Sequence, residues 1–162
     1  MHNRFVWLAV LGVVVAPAAG ADPVVVGGCR IEPATNCSFA KLAGASLRGA
    51  KLEQASLHGA VLTGADLREA DLRHADLQVA NLSKADLRGA NCEQAHLFAI
   101  DGRGAQLQRA NLRGVNLVDA KLDGANLEGA DLTGALLTSA DLGGAIWSDG
   151  RTCAPASVGE CR

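Results

Sequence analysis

The chain has 162 residues, a formal net charge of −2, and 15 basic against 17 acidic side chains. That balance argues against the strongly basic surface of a nucleic-acid binder. Aromatic residues make up only 3%, and tyrosine is absent, so no basic run interleaves with aromatics.

Residues 1–21 read as an export signal. His2 and Arg4 give a basic start, Phe5 to Ala16 is an apolar run, and two small-x-small sites follow, Ala16-Pro17-Ala18 and Ala19-Gly20-Ala21. The apolar run is too short to span a bilayer comfortably. Cleavage is expected after Ala21, which leaves a secreted or periplasmic chain with no membrane attachment. An uncleaved anchor is the alternative. Val26-Gly27-Gly28-Cys29 is a weak match to a lipoprotein cleavage box, and Asp22 and Pro23 separate it from the apolar core. Residues 22–34 form an N-terminal cap segment.

From residue 35 to 149 the sequence repeats every five residues. Block centres fall at Cys37, Leu42, Leu47 and onward to Leu142 and Trp147, 23 blocks in all. Leucine fills 19 centres, the exceptions being Cys37, Cys92, Gly102 and Trp147. Alanine stands two residues before the centre in 20 blocks, the exceptions being Thr35, Ile100 and Val115. A helix advances roughly 100° per residue, so five steps would spread these leucines around the whole cylinder. A flat strand fails as well, because an odd spacing sends successive leucines to opposite faces. A chain that turns one corner per block keeps every leucine inside, and four right angles close a square coil of four blocks. The fold expected is all-β, with about six coils in a rod about 28 Å long at a coil spacing of about 4.8 Å.

The flanking positions agree. Small alanine fits inside a tight corner, and Gly two residues past the centre (Gly44, Gly49, Gly59, Gly64) accepts unusual backbone angles. Asp or Asn just before the centre (Asp66, Asp71, Asn81, Asn111) can bond nearby backbone groups. Residues just past the centre point outward, and those four blocks apart should stack. One such column reads Glu53, Arg73, Glu93, Arg113, with alternating charge. Another reads Arg48, Arg68, Arg88, Gln108, Glu128, where Asp66, Asp71 and Asp86 lie alongside and can compensate.

One block departs from the rule. Ile100-Asp101-Gly102-Arg103-Gly104 has Gly where leucine belongs and Ile where alanine belongs. Either the large side chain fills the same space from two residues away, or the block bulges outward. Phe98, just before it, is expected to face solvent, and with Ile100 and Arg103 it makes a possible contact site.

Ala65-Asp-Leu-Arg-Glu69 and Ala125-Asn-Leu-Glu-Gly129 resemble the pentapeptide-repeat family. The resemblance implies a right-handed quadrilateral β-helix and covers about 113 of the 162 residues. Family functions are diverse, so the likeness carries little mechanism. The start, residues 29–38, and the finish, from Trp147 to Cys161, resemble terminal segments of exported family members. Five cysteines fit an oxidising compartment. The ends of the rod are too distant for a disulfide, whose Cα atoms lie within about 7 Å. The expected pairs are therefore Cys29–Cys37 and Cys153–Cys161, each closing a cap loop, with residues 150–162 as the C-terminal disulfide cap. Cys92 at a block centre should be a buried free thiol. Trp147 is large enough to plug the last square, and Pro155 discourages further pairing.

No catalytic or phosphate-binding motif appears, and a leucine-filled square leaves no internal pocket. His58 and His96 share a face but stand roughly 10 Å apart, too far for a ligand pair. No cofactor, no metal and no enzymatic activity are expected. Asn36-Cys37-Ser38 and Asn81-Leu82-Ser83 match a glycosylation pattern but read as turn asparagines. The first functional reading is an extracytoplasmic structural or protein-interaction rod, a monomer because the disulfide loops block end-to-end stacking. Its partner is an unknown protein or envelope polymer, and nucleic acid is not expected. A second reading is a binder of an anionic envelope polymer through the Arg48, Arg68, Arg88 column. A third, implied by the resemblance, is a DNA mimic that binds a type II topoisomerase and protects against quinolones. Mild acidity and the export signal count against that third reading.

Overall fold

A computed structural model describes residues 24–162. The export signal and the first two residues of the N-terminal cap lie outside the described residues. From residue 35 onward the chain is a right-handed quadrilateral β-helix. Each block contributes one short extended side, and parallel bridges tie each side to the one four blocks later, from Asn36 with Ser56 to Asn126 with Ile146. Four blocks therefore make one coil. The first face carries the centres Leu42, Leu62, Leu82, Gly102, Leu122 and Leu142. The second carries Leu47 through Trp147, the third Leu52 through Leu132, and the fourth Cys37, Leu57, Leu77, Leu97, Leu117 and Leu137.

The backbone explains why one block suffices for a side and a corner. The Leu72 amide donates to the Asn91 carbonyl at 2.7 Å, and the Asp71 amide donates to the Ala50 carbonyl at 2.9 Å, so each side bonds to the coils above and below. The corner is a turn closed by the Ala75 amide donating to the Leu72 carbonyl at 3.1 Å. That turn puts the residue two past the centre in the left-handed region; here it is His74 at φ 57°. Leucine centres and corner alanines stack into one dry column, and most of them are fully buried. In most blocks carrying Asp or Asn before the centre, that side chain accepts the amide two residues on, as Asn81 Oδ1 does from Ser83 and Asn36 Oδ1 does from Ser38. Both asparagines of the glycosylation-like triplets thus serve the turn.

The irregular block stays in the coil. Asp101 bridges both Asn81 and Lys121, and the Gly102 amide donates to the Lys121 carbonyl at 2.8 Å. Ile100 is only 3% exposed and points into the space that leucine would fill. The swap is imperfect: an internal cavity of about 10 Å³ lies between Cys92, Ile100, Gly102 and the neighbouring leucines.

Both ends carry caps. At the start, β1 (Val25–Val26) pairs antiparallel with β2 (Cys29–Arg30), and Ile31 is buried beneath. Cys29 is bonded to Cys37, with Cα atoms 5.2 Å apart. At the finish, Cys153 is bonded to Cys161, with Cα atoms 4.9 Å apart. The tail folds back antiparallel, pairing Ile146 with Thr152 and Asp141 with Val158. Gly143 has no side chain because a Cβ there would stand 2.6 Å from the Pro155 carbonyl oxygen. Trp147 packs against the core but stays half-buried, so it does not plug the square alone; Cys153, Ser157 and Cys161 complete the lid. The disulfide cap expected at this end is present, and its tail pairs with the first and second faces of the last coil.

The swapped block yields a compensation test. A Cβ at Gly102 would meet Leu122 Cδ2 at 2.9 Å and Ile100 Cδ1 at 3.4 Å. Gly102→Leu alone should cost about 1–3 kcal/mol through overpacking. Ile100→Ala alone should cost about 2–5 kcal/mol through the cavity it leaves. The double variant, which restores the regular block, should be more stable than either single variant, as read from denaturant unfolding.

Candidate functional site

A leucine column has no cavity for chemistry, so any site lies on the four outer faces. The faces differ more than the repeat suggests. The second face carries Arg48, Arg68 and Arg88 in one stack, and every one is engaged. Arg48 bonds Glu69 Oε1 at 2.7 Å, Arg68 bonds Asp66 at 2.6 Å, and Arg88 bonds Asp86 at 2.6 Å. Arg68 also lies 3.6 Å from Asp86, so carboxylates separate the stacked cations. Asp71, expected beside this column, turns the corner instead and holds Arg73 on the third face at 2.8 Å. Arg73 also reaches Glu53 in the preceding coil at 3.2 Å, whereas Arg113 bonds Asp131 at 3.1 Å rather than Glu93.

The recurrent unit is Asp-x-Arg straddling one block centre, and Arg103 with Asp101 at 2.6 Å is a further copy. Side-chain bonds from the arginines hold the carboxyls of Asp66, Asp71, Asp86 and Asp101 below their ordinary value of 3.8. Asp131 falls to about 2, through the Thr133 hydroxyl first, then the Thr133 amide and Arg113. The Arg68 and Arg73 guanidiniums are shifted upward by the same pairing.

A groove of about 750 Å³ runs along the second face between Glu69 and Asp149, over Gly89 and Gly129. It is lined by both charge signs, Arg88 and Arg109 against Glu69, Glu128 and Asp149. Gln108 in its wall donates Nε2 to Gln106 Oε1 at 3.1 Å and leaves its own buried Oε1 without a partner. No nucleophile and base converge there. Among the described residues, no group of three His, Cys, Asp or Glu side chains is placed to hold a metal.

The fourth face is different in kind. Its outward positions run Asn36, Ser38, Phe39; Ser56, His58, Gly59; Asp76, Gln78, Val79; His96, Phe98, Ala99; Asn116, Val118, Asp119; Leu136, Thr138, Ser139. It contains no lysine or arginine. Phe39 is 69% exposed, Val79 49% and Leu136 57%. Phe98 and Val118 are half-buried between them. Phe98 therefore does not stand free in solvent as the sequence suggested; it is one member of an apolar stripe. Ile100, expected to join it as a contact, is in the core, and Arg103 lies on the first face. The exposed aromatic is Phe39, whose ring meets His58 edge-on at 5.6 Å and lies over Gly59, where a Cβ would stand 2.6 Å from the ring.

Backbone strain marks the same face. Two residues past the centre, where φ is positive, the first face uses glycine in five of six coils: Gly44, Gly64, Gly104, Gly124 and Gly144. The fourth face uses it once, at Gly59, and elsewhere carries Phe39, Val79, Ala99, Asp119 and Ser139 at φ 52–59°. A β-branched Val79 at φ 52° is a genuine outlier, and such residues persist only where the surrounding structure holds them in place.

A profile described as "Pentapeptide repeats" matches in eight copies, over residues 35–78, 65–101, 80–119, 103–138 and 116–146. The chain belongs to the pentapeptide-repeat family. Among solved members of this pentapeptide-repeat family, HetL of the cyanobacterium Nostoc sp. Strain PCC 7120, described as involved in heterocyst differentiation regulation, is 32% identical over 72% of this chain and 76% of its own, with a TM-score of 0.33. A pentapeptide repeat protein from the Arabidopsis thaliana thylakoid lumen is 27% identical over 60% of this chain and 81% of its own, with a TM-score of 0.35. QnrB1, a plasmid-mediated fluoroquinolone resistance protein, is 17% identical over 66% of this chain and 76% of its own, with a TM-score of 0.27. No curated protein matches the chain.

The charges and the core each give a test. Each paired aspartate is more acidic folded than unfolded. It therefore stabilises the fold fully above pH 3.8 and loses that contribution as the pH falls through its lowered folded value. Denaturant midpoints should decline on acidification over that window, and Asp66→Asn with Asp86→Asn should flatten the decline. The Cys92 thiol, raised to about 12 by burial, should resist alkylation in the native state and react only at the rate of unfolding, as followed by mass spectrometry.

Proposed function

We propose that this pentapeptide-repeat protein is a non-enzymatic docking rod that works outside the cytoplasm. The observation that carries the reading is the fourth face. Three exposed large apolar side chains, Phe39, Val79 and Leu136, share it, two of them in strained backbone, with no cation among them. Phe98 and Val118, half-buried on the same face, lie in the coils between Val79 and Leu136, and exposed apolar surface rimmed by polar residues is the kind that marks protein contacts. The cation-free composition counts against a polyanion as the occupant. So does the state of the Arg48, Arg68 and Arg88 column, whose charges are already matched by carboxylates.

Two disulfides and the leader pattern of residues 1–21 support an oxidising, extracytoplasmic site of action. The DNA-mimic reading has weaker support. The surface mixes both charges in local Asp-x-Arg pairs, and the likeness to QnrB1 is one of fold.

The test couples stability to binding at one residue. Val79→Gly relieves a left-handed β-branched residue and should raise stability by about 1–2 kcal/mol. The same change, combined with Phe39→Ser, should lower capture of a discrete protein from the periplasmic or culture fraction by tenfold or more. The Arg48/Arg68/Arg88 triple Ala variant should retain capture. Mature chain beginning at Asp22 in that fraction is the expected mass. Undiminished capture by the Phe39/Val79 variant, or a leader-bearing chain confined to the cytoplasm, would refute the reading.

A further inference from the structure

Among the described residues, nothing covers the C-terminal end of the rod on two of its four faces. In the penultimate coil, Leu112, Val115 and Leu117 are at most 1% exposed. Their counterparts one coil later, Leu132, Ala135 and Leu137, are only partly buried, and Leu136 between them is 57% exposed. The backbone shows the same gap. In every earlier coil the centre residue and the residue two beyond it donate their amides to the next coil. Among the described residues, the amides of Leu132, Gly134, Leu137 and Ser139 have no such partner, and neither do the carbonyls of Ala130 and Ala135.

The chain itself shows how this edge is satisfied. On the first face the Leu142 amide donates to the Ser157 carbonyl at 2.8 Å, and the Gly144 amide to the Cys153 carbonyl at 3.2 Å. There Ala140 accepts from the Gly159 amide at 2.8 Å. On the second face Trp147 donates to Arg151 at 2.7 Å, and Ala145 accepts from Cys153 at 2.8 Å. An antiparallel extended segment thus pairs with this edge, using two donors and one acceptor on the first face. The third and fourth faces present the same set: Leu132, Gly134 and Ala130, then Leu137, Ser139 and Ala135. Gly159, where the tail ends its pairing, lies beside the start of this open edge; a Cβ there would stand 3.5 Å from the Leu137 carbonyl oxygen and 3.7 Å from the Ser139 amide nitrogen.

We infer that this half-edge is an acceptor for an extended, apolar-alternating peptide strand of a partner protein, which continues antiparallel where the tail's pairing ends at Gly159. A second copy of the same edge is a poor occupant. Each edge offers four donors and only two acceptors, so two-fold self-pairing would set N–H against N–H. A peptide brings carbonyls and amides in alternation and supplies both. Arg113 beside this edge is matched by Asp131, and Asp119 one coil earlier on the fourth face has no ion pair among the described residues, which disfavours an acidic occupant. The inference is independent of the fourth-face stripe, although Leu136 belongs to both.

The test is amide hydrogen exchange by NMR on the oxidised mature chain, with a short synthetic peptide of alternating Thr and Val interrupted by one central Gly. In the free protein, Leu132, Gly134, Leu137 and Ser139 should exchange at least tenfold faster than Leu112, Gly114, Leu117 and Asp119 one coil earlier. Saturating peptide should slow those four amides at least tenfold. The same peptide N-methylated on alternate residues should not, and Leu136→Lys should weaken the apparent Kd by tenfold or more. Four amides already protected in the free chain would overturn the proposal. So would peptide that leaves them unchanged, or protection that grows with protein concentration alone and so identifies a second copy.

Discussion

The fold rests on one constraint: every backbone amide that leaves a block sideways must find a carbonyl in the adjacent coil. That ladder fixes four blocks per coil, and four blocks per coil fix what stacks on what. Leucine falls on leucine and alanine on alanine, and the dry column inside is a consequence of register as much as of hydrophobicity. Outside, the same register stacks any side chain on its equivalent four blocks later. The rod therefore presents its sequence as four independent columns of surface, and selection can act on one face without disturbing the core.

The surface shows that independence. On the second face, like-charged arginines stack at the coil spacing, and the face survives because each holds a carboxylate from its own or the adjacent coil. Pairs this exposed contribute little stability each, and their main effect is to cancel a field that would otherwise repel. On the fourth face nothing is cancelled because almost nothing is charged. Asp76 meets only its own turn and His58 at 3.9 Å, and Asp119 has no ion pair among the described residues. Placing Phe39 and Val79 at left-handed positions, where glycine costs least, is a local conflict that the coil tolerates because the ladder holds it on both sides.

The period made the coil, its size and its core legible without coordinates, because only a corner in every block keeps those leucines together. The turn role of Asn81 and Asn36 was legible for the same reason. Two options stood open at Gly102, and nothing in local sequence decides whether an isoleucine two residues away reaches the same space; the inter-coil bonds on both sides do. Phe39 escapes a search for broken pattern, because the departures in its own block, Thr35 and Cys37, read as part of the disulfide cap and not as a mark on the outer surface. Writing the sequence in four columns and asking which lacks lysine and arginine singles out the face. What could not be read was that the tail would run antiparallel and choose the first and second faces.

The most direct measurement of the central claim is through-hydrogen-bond scalar coupling by NMR, which names the carbonyl that each amide meets. The account predicts that the Asn91 amide couples to the Ala70 carbonyl and the Leu72 amide to the Asn91 carbonyl. The same two offsets, one position longer and one position shorter than four blocks, should recur down the rod. Couplings to carbonyls one helical turn back along the chain, or at a spacing set by three or five blocks per coil, would contradict it.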